Sequence, residues 1–335
     1  MREIERIESP YLLFLGNAQD VIMAKTAFGL VEWRPSDCAG QLRLPGCGVD
    51  IGLPDMSIGE AAQSGVNTLV IGFAPPGGAL PEAYVVPLIQ ALDAGLDIAS
   101  GLHVRLADNP ALAEAAARTG RRLIDVRHPR ENFAVATGAR RTGKRLLTVG
   151  TDCAVGKKFT ALAIHSALLR RGVAATFRAT GQTGILIDGH GVAMDAVVSD
   201  FIAGAAEAQS PAAAVDHWDI IEGQGSLMHP AFAAVSLGVL HGFQPDLFIV
   251  CHEPTRKTMT AVSAPLPNIA EIIELTERLG RATSPDIRCA GLSINTANLD
   301  DAAGRTLIED LQSQFNLPCV DPIRTGVEPI VEAFL

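Results

Sequence analysis

The sequence predicts an α/β protein of two parallel-sheet domains, 1–140 and 141–335, and three observations carry that prediction. Short apolar runs alternate with helix-length patterns in two series that part near Arg140–Lys144, and such alternation implies βαβ units with open parallel sheets. A glycine-bounded loop, Gly150–Lys158, lies between the apolar run Leu146–Val149 and the amphipathic stretch Phe159–Arg171. That is the strand, loop and helix order of a phosphate-binding loop. The length of 335 residues, with 48% hydrophobic content and 5% aromatics, suits roughly two compact cores.

The first series opens with the strand Tyr11–Leu15, then Gly16-Asn17 and a helical pattern over Val21–Leu30. A strand over Thr68–Phe73 leads into the loop Ala74–Gly78, and a helix over Glu82–Ala94 is stopped by Gly95. The short strand Asp97–Ser100, a helix over Ala111–Thr119 ended by Gly120, and the strand Leu123–Val126 complete it. Ligands of open parallel sheets bind beyond the strand C-termini. Gly16-Asn17 and Gly72–Gly78 occupy those ends but form no G-x-G-x-x-G fingerprint, so a dinucleotide site here has little support. The run Arg140-Arg141-Thr-Gly-Lys144-Arg145 reads as a solvated linker. The second series carries strands at Leu146–Val149, Val173–Phe177, Trp218–Ile221, Leu247–Cys251 and Ile287–Ile294. Among the helices between them are Phe159–Arg171, Val197–Ala208 and Asn268–Leu279.

A net charge of −10 and a pI near 5.3 exclude a general nucleic-acid or anionic-membrane binder. An anionic substrate therefore needs a locally basic pocket. Met1–Glu8 is charged and Tyr11–Leu15 is too short for the apolar core of a signal peptide, and no apolar stretch reaches a membrane span. Six cysteines without C-x-x-C spacing point to reduced thiols in a cytoplasmic protein, with no zinc site or disulfide framework. Cys251, Cys289 and Cys319 lie in apolar runs, where a thiol serves as a small buried hydrophobe.

The loop Gly150-Thr151-Asp152-Cys153-Ala154-Val155-Gly156-Lys157-Lys158, closed by Phe159, is one residue longer than G-x-x-x-x-G-K-[ST]. Backbone N–H groups of such a loop wrap a polyphosphate, the helix N-terminus adds partial positive charge and a lysine reaches over the phosphates. The spacing resembles the G-T-D-x-x-x-G-K-T loop of dethiobiotin synthetase. Here Lys158 stands where a hydroxyl residue would ligate Mg²⁺, so the loop can hold a diphosphate but is poorly equipped for Mg²⁺-dependent phosphoryl transfer. Ile220-Ile221-Glu222-Gly223-Gln224-Gly225 places a carboxylate at a strand end. Glu222 could hold a metal-bound water, pair with Lys157, take a proton from a substrate, or simply face solvent. Arg178-Ala-Thr-Gly181-Gln182-Thr183-Gly184 suits a carboxylate or carbonyl ligand, since arginine binds carboxylates bidentately; it could equally be a glycine turn. His229 and His252 follow strand ends and titrate near neutrality, and each has a structural alternative. Asp195 and Asp200 read as acids complementing a helix N-terminus. Cys153 lies at a helix N-terminus, which can lower a thiol pKa, but no base accompanies it.

Together with Gly16-Asn-Ala-Gln-Asp20, Ala24-Lys-Thr-Ala27, Trp33-Arg-Pro35, Gly40-Gln-Leu-Arg-Leu-Pro-Gly-Cys47, Ser100-Gly-Leu-His103, His217-Trp-Asp219, Glu222–Ser226 and Cys251-His-Glu-Pro254, these strings resemble the D-glutamate N-acetyltransferase family over nearly the whole chain. The resemblance implies a Rossmann-like N-terminal domain, a P-loop C-terminal domain and a homo-oligomer. It implies acetyl transfer from acetyl-CoA to the amino group of D-glutamate, with no metal expected. On that reading the loop cradles the diphosphate of CoA and Lys158 neutralises charge that a metal would otherwise neutralise. Glu222 is the first candidate for the base and His229 the next, while Gln182 or loop N–H groups serve the oxyanion. Arg178 and Arg256 are the expected partners of the acceptor carboxylates, with His103 and Arg127 as further candidates. Two other readings remain open at this stage: an ATP-dependent ligase or kinase acting on a carboxylate, and a non-catalytic nucleotide sensor.

Overall fold

The computed structural model describes residues 7–75, 78–129 and 132–335. Pro76 and Gly77 of the expected 74–78 loop, and most of the Met1–Glu8 segment, lie outside them. The chain forms two compact units: an N-terminal unit of 7–129 with Gly181–Ala196, and a P-loop unit of 132–180 with 197–335.

The N-terminal unit is built on β1 (Tyr11–Gly16), β2 (Cys38–Arg43), β3 (Thr68–Ile71), β4 (Asp97–Ser100) and β5 (Leu123–Asp125). All are parallel, in the order β2-β1-β3-β4-β5. Helices α1 (Lys25–Trp33), α2 (Ile58–Gln63), α3 (Val85–Asp93) and α4 (Pro110–Thr119) connect them. Strands covered on both faces read as continuous apolar runs, and β1, β3 and β4 are buried at every position. Local signals set the helix ends. Asn109 accepts from the N–H groups of Ala111 and Leu112, Pro110 opens α4, and Gly120 closes it at φ 66°.

The strand order of this sheet reverses between β1 and β3, where open sheets usually take their ligand. A tyrosine fills that point. Gly16 sits at φ 56°, and a Cβ there would lie 2.6 Å from the Tyr84 ring. Tyr84 packs edge-on against Phe14 and Phe73 at centroid distances of 5.3 and 5.0 Å. Its hydroxyl donates to Asn17 Oδ1 and accepts from the Asn17 N–H at 3.0 Å.

The P-loop unit carries β6 (Lys144–Gly150), β7 (Ala175–Arg178), β8 (Trp218–Ile221), β9 (Leu247–His252), β10 (Arg288–Ile294) and β11 (Cys319–Val320). They form one parallel sheet in the order β11-β10-β9-β6-β8-β7. Its helices are α5 (Lys157–Arg170), α7 (Ile202–Gln209), α8 (Ala233–Phe243), α9 (Ile269–Gly280), α10 (Asp301–Phe315) and α11 (Glu328–Phe334), while α6 (Gln182–Asp188) belongs to the N-terminal unit. There α6 packs on α1, with Thr183 Oγ1 3.2 Å from Thr26 Oγ1 and the Arg34 Nε–H donating to Ile187 O at 2.7 Å. Cys251, Cys289 and Cys319 are buried in β9, β10 and β11, and burial pushes the Cys251 thiol up to about 11. No helix among the described residues is long and apolar enough to cross a membrane.

The basic run 140–145 is not a solvated linker. Arg145 lies within β6 and is 1% exposed. Its Nε donates to Ser210 Oγ at 2.8 Å and its terminal nitrogens to the carbonyls of Arg141, Thr142, Gly143 and Pro211. Arg140 reaches Gln244 O, Ser284 Oγ and Asp246. A guanidinium offers five donors in a rigid fork, so a charge cluster can tie loops together where lysines would stay in water. The expected helix Val197–Ala208 also begins later. Ser199–Phe201 is a 3-10 turn and α7 starts at Ile202.

Candidate active site

The loop after β6 has the geometry its sequence calls for. Gly150 ends the strand, Ala154 and Gly156 adopt φ of 53° and 105°, and α5 begins at Lys157 with no side-chain cap. Uncapped first-turn N–H groups are available to an anion, and the helix dipole favours negative charge there. Lys157 is buried and donates from Nζ to Asp152 O at 2.6 Å. Burial pushes its ammonium below the ordinary value, against the nearby charges of Asp152 and Glu222. Lys158 lies with Nζ 5.0 Å from the Phe159 ring centroid.

Asp152 anchors the loop from within. Its Oδ2 accepts from Arg256 Nη1 at 2.6 Å and from both the N–H and Oγ1 of Thr260 at 2.8 Å. Burial pushes its carboxyl up, but the bonds from Thr260 and Arg256 outweigh burial and leave it below its usual value. Arg256 also donates to the carbonyls of Cys153 and Ala154, at 2.7 and 3.4 Å. This arginine, expected to meet a substrate, therefore clamps the phosphate-binding loop.

Asp152, Cys153 and His229 each bring a potential metal-ligand atom within 4.8 Å of the others. The imidazole is already committed. His229 is fully buried, its Nδ1 accepts from the Ala231 N–H at 3.1 Å, and Nε2 lies 2.9 Å from Thr260 O. Nδ1 as acceptor requires the proton on Nε2, which leaves neither nitrogen a lone pair for a metal or a free site for a substrate proton. His252 sits at the end of β9 with Nδ1 3.0 Å from Thr151 Oγ1, and burial pushes its pKa down.

Glu222 stands beyond the end of β8 and is 5% exposed, with Oε2 accepting from the Thr180 N–H at 3.0 Å. The next residue makes its position possible. A Cβ on Gly223 would overlap the Thr148 carbonyl oxygen and lie 3.2 Å from Lys157 Cδ, so only glycine lets β8 pass this close to the loop strand. Arg178 ends β7 and pairs through Nε with Asp219 Oδ1 at 2.9 Å; no other side-chain hydrogen bond of Arg178 is found among the described residues. Two of its donor groups therefore remain for a ligand.

Gln182, His103 and Arg127 fall in the N-terminal unit. Arg127 is buried, donates from Nε to Gly101 O at 2.7 Å, pairs with Asp195, and reaches the Gln182 amide oxygen at 3.3 Å. Gln182 in turn donates to Gly101 O. His103 is exposed; partial burial and the Arg127 charge push its pKa down. Asp195, read as a helix-start acid, is instead a partner of Arg127. Sequence reasoning missed Thr260 and Thr148, and the one available signal was the hydroxyl-rich stretch Thr255–Thr260 after β9.

Comparison with known proteins fits this architecture. Residues 42–129 match a domain of unknown function described as a Rossmann-like domain, and 133–331 match its P-loop counterpart. A protein of Tritonibacter scottomollicae named D-glutamate N-acetyltransferase is 47% identical over 328 residues, covering 98% of each chain. A Pseudoalteromonas protein of the same name is 47% identical, covering 97% of this chain and 98% of the other. The crystal structure of a DUF1611 family protein from Anabaena variabilis superposes with a TM-score of 0.87 at 32% identity, covering 97% of this chain and 99% of that one. With both domains matched in order and 47% identity over nearly its full length, the chain belongs to the DUF1611 family, a Rossmann-like domain followed by a P-loop domain.

Proposed function

We propose that this protein is a D-glutamate N-acetyltransferase that takes its acetyl group from acetyl-CoA and holds the CoA diphosphate in the loop after β6. The observation that carries the reading is a phosphate-binding loop whose metal-ligating hydroxyl is replaced by Lys158, in a chain 47% identical to proteins of that name. A diphosphate needs only to be held in this reaction, so N–H groups from Thr151 to Phe159, with the two ammonium groups, suffice without a metal.

Acyl transfer asks for three things: an unprotonated amine, a stabilised oxyanion and a leaving thiolate. Glu222 takes one proton from the substrate ammonium, the amine nitrogen attacks the thioester carbonyl carbon, and the C–S bond breaks as the tetrahedral intermediate collapses, the nitrogen's second proton passing to the departing thiolate to give the CoA thiol. His229 acts by holding Thr260, and through it Asp152 and the loop. Oxyanion donors come from the loop N–H groups or from Gln182. Arg178, fixed by Asp219 with two donor groups left, pairs with an acceptor carboxylate; Arg256 serves the loop, and Arg127 with His103 is a weaker candidate for the same task. The protein is further proposed to act as a homo-oligomer.

The purified protein, incubated with acetyl-CoA and D-glutamate, should release free CoA thiol in step with N-acetyl-D-glutamate. ADP released from ATP and Mg²⁺ in the presence of a carboxylate, with no CoA release, would favour the ligase reading instead.

A further inference from the structure

Thr180 lies just past the end of β7 and is fully buried. It meets the segment beyond β8 through both its main chain and its side chain. Its N–H donates to Glu222 Oε2 at 3.0 Å, and its hydroxyl donates to the Glu222 main-chain carbonyl at 2.6 Å. The same hydroxyl accepts from Gln224 Nε2 at 2.9 Å. A hydroxyl has one proton to give and lone pairs with which to accept, so the bond from Gln224 sets the rotor and leaves that proton for Glu222 O.

The backbone on both sides of this contact is held by other elements. The Glu222 N–H donates to Arg178 O at 3.1 Å and the Gly223 N–H to Thr148 Oγ1 at 3.0 Å. Gln224 O accepts from Ser236 Oγ of α8 at 2.7 Å, while Gln209 of α7 donates from Nε2 to Ala179 O at 2.6 Å. What remains to be aimed is the Glu222 carboxylate on its rotatable stem. Holding a long side chain in one rotamer costs conformational entropy, and an N–H donated to a carboxylate is a charge-assisted bond that offsets the cost.

We propose that Thr180, with Gln224 behind its hydroxyl, is the positioning residue that aims the Glu222 carboxylate at the substrate ammonium. It acts through Glu222 and does not itself touch substrate. The proposal rests on Glu222 being the base. Aim matters because a misplacement of about 1 Å in a reacting group can cost on the order of a hundredfold in rate. Thr180→Val keeps the volume and the main-chain N–H but removes the hydroxyl. The Glu222 carbonyl and the Gln224 amide then lose their shared partner, and the segment carrying the carboxylate is released.

Steady-state kinetics on Thr180→Val, Glu222→Gln and the double variant test this. Thr180→Val should lower kcat about tenfold or more, while KM for D-glutamate and the calorimetric affinity for CoA stay near wild type. Thr180→Ser, which returns the hydroxyl, should restore kcat. Glu222→Gln should lower kcat by on the order of a hundredfold or more. Adding Thr180→Val to it should cost little further, because an amide takes no proton however it is aimed. Unchanged kcat in Thr180→Val, or a loss that repeats at full size in the Glu222→Gln background, would overturn the positioning role and leave Glu222 as the base. Near-normal kcat in Glu222→Gln would remove the base and the proposal together. If Thr180→Val no longer binds CoA, Gln224→Leu decides by freeing the hydroxyl from its other side. A fall in kcat at unchanged KM is expected there, and an unchanged kcat would overturn the role.

Discussion

Asp152 shows how much of the site rests on a residue that never needs to touch a ligand. Its carboxylate holds Thr260 and Arg256, and Arg256 holds two carbonyls of the loop. Because the folded carboxyl sits below its ordinary value of 3.8, it contributes stability at higher pH that is lost as pH falls through the lower folded value. Asp152→Asn should therefore cost about 2–3 kcal/mol at neutral pH, with the gap to wild type closing in acid. Denaturant unfolding from pH 7 down to about pH 2.5 checks this; a gap that does not change with pH would assign the loss to packing instead. At this scale the sequence placed Lys157 on the loop and Glu222 at a strand end, where the structure has them, but it did not show the bond between Arg256 and Asp152. The bond between Arg256 and Asp152 spans 104 positions, and nothing local encodes it.

At the scale of elements, backbone proximity matters most. Gly223→Ala would drive a Cβ into the Thr148 carbonyl, with no flexible atom to give way, and should cost about 3 kcal/mol or more. Gly120→Ala, at φ 66° but with nothing within 4 Å, should cost only about 1 kcal/mol of backbone strain. Thermal unfolding of the pair tests whether the close passage of β8 along β6 is what demands glycine; equal losses would argue that it is not. Strands such as Thr68–Ile71 and Leu247–His252 are legible because they are short, largely apolar runs between turn signals. Others are not. α8 has apolar residues on nearly every side, so no helical period stands out. β2 reads Cys-Ala-Gly-Gln-Leu-Arg, too polar and too small to signal a strand. Arg145 hides the start of β6 because its charge suggests solvent and its five donors find carbonyls.

Across the whole molecule, the order of motifs predicted two parallel sheets, and both are present. Local sequence could not show that Gly181–Ala196 leaves the P-loop series to pack with the N-terminal unit, because that choice depends on contacts between distant helices. Net charge poses a problem for substrate capture: a chain at −10 repels a dicarboxylate unless cations are placed locally. Arg178→Ala should raise KM for D-glutamate about tenfold or more with little change in kcat, since uniform binding is lost; an unchanged KM would put the carboxylate elsewhere. In the proposed enzyme the loop holds CoA through its lysines and backbone without a metal. Titration of CoA into wild type and Lys157→Ala, both in excess chelator, tests it most directly. Full wild-type binding under chelation and a loss of about 2–3 kcal/mol in the variant are expected. Binding that requires Mg²⁺, or an affinity that Lys157→Ala leaves untouched, would contradict it.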